Sequence, residues 1–322
     1  MRAALACLGL LLCAGAARAQ RLASVGADGA VRLWNLSGDA PPAEILKVPA
    51  ADARTSAVSP DGRWLALAGA SRAIRLFSLP DGKPARTVEG PDGGVASVAF
   101  SVDGTLLVAA GSGPAVRLWK VADGAPALTI PDAHPGGALV AQASDTQILS
   151  AGKDDVLTLW DAKGARQFTI ETDHLAGLTG IASSLAGQKA FTWGADGQLK
   201  MWSVAGFHEM PDDARAPIRA AVVTPDGNRL FAAGGDGTLK AWDLTRRERV
   251  LRVAAHGAQP VVAVAVSPDG RWVATGGADK AVRLWSVADA APGKSLPVVH
   301  AAAVVAVHFV PEPKPAPADG GK

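Results

Sequence analysis

An aromatic residue preceded by a small or apolar one recurs along the chain, at Leu33-Trp34, Leu76-Phe77, Leu118-Trp119, Leu159-Trp160, Met201-Trp202, Ala241-Trp242 and Leu284-Trp285. Successive aromatics stand 43, 42, 41, 42, 40 and 43 residues apart. Eight positions before each lies a glycine: Gly26, Gly69, Gly111, Gly152, Gly194, Gly234 and Gly277. Self-similarity at one period means that each unit is a small supersecondary block that buries its apolar face only against its neighbours. Such a chain folds as a stack or a ring of units.

Within a unit, short β-rich runs alternate with turn signals. In the last complete unit, residues 261–270 end in Pro-Asp-Gly, residues 271–279 read as a second strand and 281–287 as a third, and the more polar segment after it, ending near 294–299, is expected to be the outer strand. Pro-Asp-Gly also stands at Pro60-Asp61-Gly62 and Pro225-Asp226-Gly227, and Asp-Gly fills a second turn at Asp28-Gly29, Asp196-Gly197 and Asp236-Gly237. A chain that reverses this often needs left-handed backbone positions repeatedly, which accounts for its 36 glycines.

The period, the tryptophan and the aspartate that follows it in Trp160-Asp161 and Trp242-Asp243 resemble WD40 repeats, and the resemblance runs over residues 21–310. It implies an all-β fold, a seven-bladed WD40-type β-propeller with four antiparallel strands per blade. The first unit opens at a second strand, residues 22–28, while the last apolar run, 302–311, has the pattern of a first strand without successors. Pairing the two closes the ring, the C-terminus supplying one strand and the N-terminus three, and leaves no open sheet edge.

Families of this kind often carry a buried tetrad in each blade, of His, Ser or Thr, Asp and Trp. The resemblance places four complete sets: His300, Ser24, Asp28 and Trp34; His134, Ser150, Asp154 and Trp160; His174, Thr192, Asp196 and Trp202; His256, Thr275, Asp279 and Trp285. Ser, His and Asp together invite a hydrolase reading. A catalytic triad does not recur four times at one offset, however, whereas a satisfied buried network does. Blades 2, 3 and 6 have Leu67, Ala109 and Ala232 at the hydroxyl position and no histidine, and blades 2 and 3 have Ser71 and Gly113 at the aspartate position, so this sector is expected to be softer.

Two residues stand outside the pattern as candidates for function. His308 occupies an inner-strand position filled by Ala57, Ala99 and Ala265 elsewhere, and is a candidate ligand in the central channel. Trp193 follows a tetrad threonine and is a candidate anchor for a partner. Arg32, Arg75, Arg117, Lys200, Lys240 and Arg283 stand two positions before the aromatic, and their stems are expected to lie along outer strands.

Residues 1–19 carry one early basic residue, Arg2, an uncharged run over 3–17, and small residues at Ala17 and Ala19, the layout of a secretory signal peptide cleaved before Gln20. Cleavage removes Cys7, Cys13, Arg2 and Arg18 and leaves 30 basic and 30 acidic residues. A chain so processed has no disulfide, thiol nucleophile or Cys-ligated metal, and its charge gives no reason to bind nucleic acid. The propeller is expected over 20–310, and residues 311–322 read as a disordered Pro-rich tail.

No phosphate-cradling glycine loop, HExxH, CxxCH or nucleophile elbow is present, so no cofactor or resident metal is expected. The function implied is a monomeric, non-enzymatic protein–protein interaction scaffold in the bacterial periplasm or envelope, beside a c-type cytochrome or another redox or assembly system. Another protein is its partner, and neither nucleic acid nor membrane insertion after signal cleavage is expected. A secreted location is the alternative. The rival class is a propeller enzyme, a metal-dependent lactonase or hydrolase or a quinone dehydrogenase working in the central channel. Inner strands that read as Val, Ala and Ser, over 95–101 and 261–267, oppose it.

Overall fold

The structure, a computed structural model, describes residues 21–37, 40–79, 81–144, 146–175, 177–184, 189–203, 206–210, 216–289 and 291–312. The signal-peptide assignment at 1–19 and residues 313–322 of the tail lie outside the described residues.

The strands pair into seven four-stranded antiparallel sheets, the blades. Blade 2 is the simplest, with Thr55–Val58, Trp64–Ala68, Ala73–Ser78 and Pro84–Glu89 running outward in chain order as strands a to d. Blades 3 to 7 repeat this order and begin with strands a at Val95–Phe100, Ala138–Ala143, Leu178–Ser184, Ile218–Val223 and Val261–Val266. Blade 1 is composite. Its strands b, c and d are Arg21–Gly26, Ala30–Asn35 and Ala43–Lys47, and its strand a is the C-terminal Val304–Val310. The joint is an antiparallel ladder with Leu22 opposite Phe309, Ala23 opposite His308 and Ser24 opposite Val307. Each strand a neighbours those of the blades on either side, and Val304–Val310 sits between blades 7 and 2, so the ring is closed about a central channel.

Local chemistry explains the regularity. In the turn from strand a to strand b a Ser or Thr hydroxyl donates to an aspartate two residues on and accepts the backbone N–H five residues on. Ser59 meets Asp61 at 2.5 Å and Trp64 N at 2.9 Å, and Ser101, Thr224 and Ser267 repeat the arrangement. The glycine that follows the aspartate, Gly62 in blade 2, has φ +70, the conformation that glycine adopts without penalty.

The core lies between blades. Strand-a residues alternate between the two seams of their blade, so Val304, Val307 and Phe309 pack with Ala274 and Leu284 of blade 7, while Val310 joins Leu65 and Leu67 of blade 2. The seam between blades 4 and 5 holds the smallest cluster, built on Ala151, Leu157, Leu178 and Ile181. Strand d of blade 7 is Pro292–Ser295, ending within the range expected for the outer strand, and the residues after it form the loop that delivers His300. No helix of the described residues is long and apolar enough to cross a membrane.

Candidate functional site

The four tetrads form at one end of their blades. In blade 4, Trp160 Nε1–H donates to Ser150 Oγ at 2.8 Å, leaving the serine proton for His134 Nε2 at 2.7 Å. The remaining ring proton, on Nδ1, then faces Asp154 Oδ1 at 3.1 Å. Blade 5 repeats the chain, with Trp202 to Thr192 at 2.9 Å, Thr192 to His174 at 3.0 Å, and His174 to Asp196 at 3.3 Å. Blade 7 uses Trp285 and Thr275 at 2.9 Å, Thr275 and His256 at 2.9 Å, and His256 and Asp279 at 2.7 Å. In blade 1 the histidine arrives from the other end of the chain: Trp34 meets Ser24 at 2.8 Å, Ser24 meets His300 at 2.8 Å, and His300 lies 3.5 Å from Asp28. In blades 4 and 5 each donor has its acceptor, so the chain runs in one direction from tryptophan to aspartate; in blades 1 and 7 the guanidinium groups of Arg32 and Arg283 also approach Nδ1.

The electrostatics follow from burial. Desolvation pushes His134, His174, His256 and His300 below the ordinary histidine value, and the partner aspartates oppose it. The imidazoles are therefore neutral at pH 7. Burial alone would raise Asp28, but the N–H groups of Ala301 and Ala30 outweigh it and hold its carboxyl below the carboxylate range. Ser24, Ser150, Thr192 and Thr275 are 0 % exposed, so none of these hydroxyls can reach a substrate carbonyl.

The seven repeat glycines have a role that composition does not suggest. None is in the left-handed region. At Gly152 an added Cβ would lie 2.4 Å from Asp154 Oδ1 and 2.5 Å from the His134 ring, and Gly26, Gly194 and Gly277 meet the same pair in their blades. At these positions glycine provides room for the aspartate–histidine contact.

The basic residue before the aromatic turns toward the tetrad rather than lying only along the outer strand. Arg283 meets Asp279 at 2.6 Å, Arg32 lies 2.7 Å from His300 Nδ1 and 2.9 Å from Glu44, and Lys200 donates to the carbonyls of Thr172 and Asp173 at 2.8 Å each. Blade 2 uses the same position differently. Asp52, at the end of the 3-10 turn Ala50–Asp52, is buried and receives Arg75 at 2.5 Å. An ion pair thus stands where other blades have the histidine, a substitution that sequence alignment to the tetrad misses because Asp52 lies nearer to strand a. In blade 3, Arg117 reaches the Gly90 carbonyl at 3.3 Å and lies 3.5 Å from Asp92.

The two isolated candidates resolve differently. His308 Nε2 lies 2.8 Å from Ser56 Oγ of blade 2, across the seam, and burial lowers its value to about 4. Ser56 occupies the place of Val98 in blade 3, so serine and histidine form a polar pair confined to this seam. Trp193 corrects the expectation of a partner anchor. It is 5 % exposed and packs between blades 5 and 6 with Phe191, Met201 and Ile218. Its ring fills the space over Gly180, where a Cβ would lie 2.3 Å from the indole, so it presents no face to a partner. Among the described residues, no group of three or more His, Cys, Asp or Glu is placed to hold a metal ion.

Three segments of the chain, residues 82–120, 210–243 and 247–286, match the family described as WD domain, G-beta repeat. The first and third begin on strand d of one blade and end on strand c of the next, so a repeat staples two blades together. With seven blades in a closed ring, these matches make the chain a WD40-repeat β-propeller. No match is found among curated proteins.

Proposed function

We propose that this propeller is a non-enzymatic scaffold that holds another protein in the bacterial periplasm or envelope, beside a c-type cytochrome or another redox or assembly system. A WD40 propeller is consistent with a protein-interaction scaffold, although the fold alone does not name the partner. The observation that carries the reading is the burial of the four tetrad hydroxyls: every Ser-His-Asp or Thr-His-Asp set is consumed in bracing a loop to its blade. The layout of residues 1–19 supports the location.

The test is a periplasmic extract passed over the immobilised chain, with the retained proteins stained for covalent haem. A reproducible partner at near-equal amount is expected. A purified chain that retains nothing but carries stoichiometric calcium or zinc would overturn the scaffold reading in favour of a channel enzyme.

A further inference from the structure

Five of the six repeat tryptophans, Trp34, Trp119, Trp160, Trp242 and Trp285, are buried to 6 % exposure or less, whereas Trp202 is half-buried. It opens into a cleft of about 380 Å³ at the seam between blades 4 and 5, walled also by Glu171, Asp173, Leu175, Gln198 and Lys200. Resting on the scaffold reading, we propose that this cleft docks an arginine or lysine side chain that a partner polypeptide presents beside an apolar residue.

The cleft is built and held. Lys200 Nζ pins the carbonyls of Thr172 and Asp173 at 2.8 Å each, and Leu175 N–H donates to the tetrad carboxylate of Asp196 at 3.1 Å. Asp173 itself sits at φ +51. The loop between these clamps holds Leu175 out at 90 % exposure, the most exposed large apolar side chain among the described residues. The clamps pin the backbone that carries Leu175, so less of the loop has to be ordered on binding, which lowers its entropy cost.

Charge selects the occupant. Glu171 and Asp173 are exposed at the rim, while the Lys200 ammonium is buried and engaged with two carbonyls. Asp155, in the neighbouring turn of blade 4, spends one carboxylate oxygen on Leu178 N–H at 2.8 Å. Two rim carboxylates against one engaged ammonium leave the lining net negative, and an indole is the best aromatic face for a cation. The protein makes such contacts internally, with Arg86 5.7 Å from the Trp64 ring and Arg166 5.3 Å from the Trp160 ring.

The test follows the tryptophan indole N–H signals of the full chain by NMR while a blocked Leu-Arg-Pro peptide or its Leu-Gln-Pro counterpart is added. The arginine peptide should shift one indole signal, the one deleted by Trp202→Phe, with a Kd of about 1 mM or tighter. The glutamine peptide, and the arginine peptide on Glu171→Gln/Asp173→Asn, should bind about fivefold more weakly. Both substituted side chains are exposed, and asparagine tolerates the left-handed position, so the double variant keeps the fold. Equal binding of the two peptides, an unchanged Kd in the double variant, or no indole shift overturns the assignment. The double variant also serves as bait in the periplasmic extract. A partner retained at wild-type yield overturns the cleft and leaves the scaffold reading standing; an arginine peptide that binds while the wild-type chain retains no protein supports the cleft and sinks the scaffold reading.

Discussion

Replacing Ser150 by alanine removes the hub of the blade 4 tetrad. Its Oγ accepts from Trp160 Nε1 at 2.8 Å and donates to His134 Nε2 at 2.7 Å, and all three side chains are buried. Ser150→Ala leaves one donor and one acceptor without a partner. Each costs about 1–3 kcal/mol in such a place, and the loss of a single oxygen leaves a gap too small for a water to bridge them. The expected loss is about 2–6 kcal/mol, read as a lower urea midpoint with an unchanged slope. Ser150→Thr keeps the hydroxyl, as Thr192 and Thr275 do in blades 5 and 7, and should cost under about 1 kcal/mol. A double-mutant cycle with His134→Ala should show coupling, since the two residues share one network. A Ser150→Ala chain within about 1 kcal/mol of wild type would refute the brace. So would a chain of unchanged stability that loses a hydrolytic activity, because a nucleophile, unlike a brace, is dispensable for folding.

Four further outcomes are expected. Deleting residues 300–310 removes strand a of blade 1 and His300 together, so the cooperative thermal transition should be lost, and an unchanged midpoint in calorimetry would contradict the closure. The four buried tetrad imidazoles and the partly buried His308 have lowered values, so the unfolded chain binds more protons and stability falls as pH drops below about 6.5. His308, at about 4, should by itself cost about 1–2 kcal/mol at pH 5, a loss that His308→Gln abolishes in urea titrations at the two pH values. Gly152→Ala should cost about 2–4 kcal/mol because its Cβ has no room beside Asp154 and His134, whereas Gly257→Ala, with nothing within 4 Å but φ +59, should cost about 1 kcal/mol. Trp193 Nε1 is buried without a hydrogen-bond partner, so Trp193→Phe trades lost ring contact against release of that donor and should change stability by no more than about 1 kcal/mol in the same titration, with partner retention unchanged.

Whatever recurs in every blade was legible in the sequence. The seven aromatics at near-constant spacing gave the blade number, and Leu22 and Val304, at opposite ends of the chain, could be matched to successive strands of one unit. The tetrads were legible for the same reason: His, hydroxyl, Asp and Trp hold nearly fixed offsets, and a contact repeated at one offset leaves a period in the chain. The repeat glycines were visible as positions but not as causes, since the space taken by Asp154 and His134 beside Gly152 exists only after the loop folds over the blade.

What the tertiary structure alone decided is confined to single seams. Ser56 meets His308 across the joint of blades 1 and 2, Trp193 fills the room left by Gly180 against blade 6, and Asp52 reaches Arg75 from a 3-10 turn found in blade 2. Trp202, identical in sequence role to its buried counterparts, is half-buried and lines the cleft between blades 4 and 5. In a ring of similar blades the period specifies what each blade does within itself. The pairing of such exceptions depends on side chains at unrelated separations, 23 residues for Asp52 and Arg75 and 252 for Ser56 and His308, that share no offset with any other pair, and only packing brings them together.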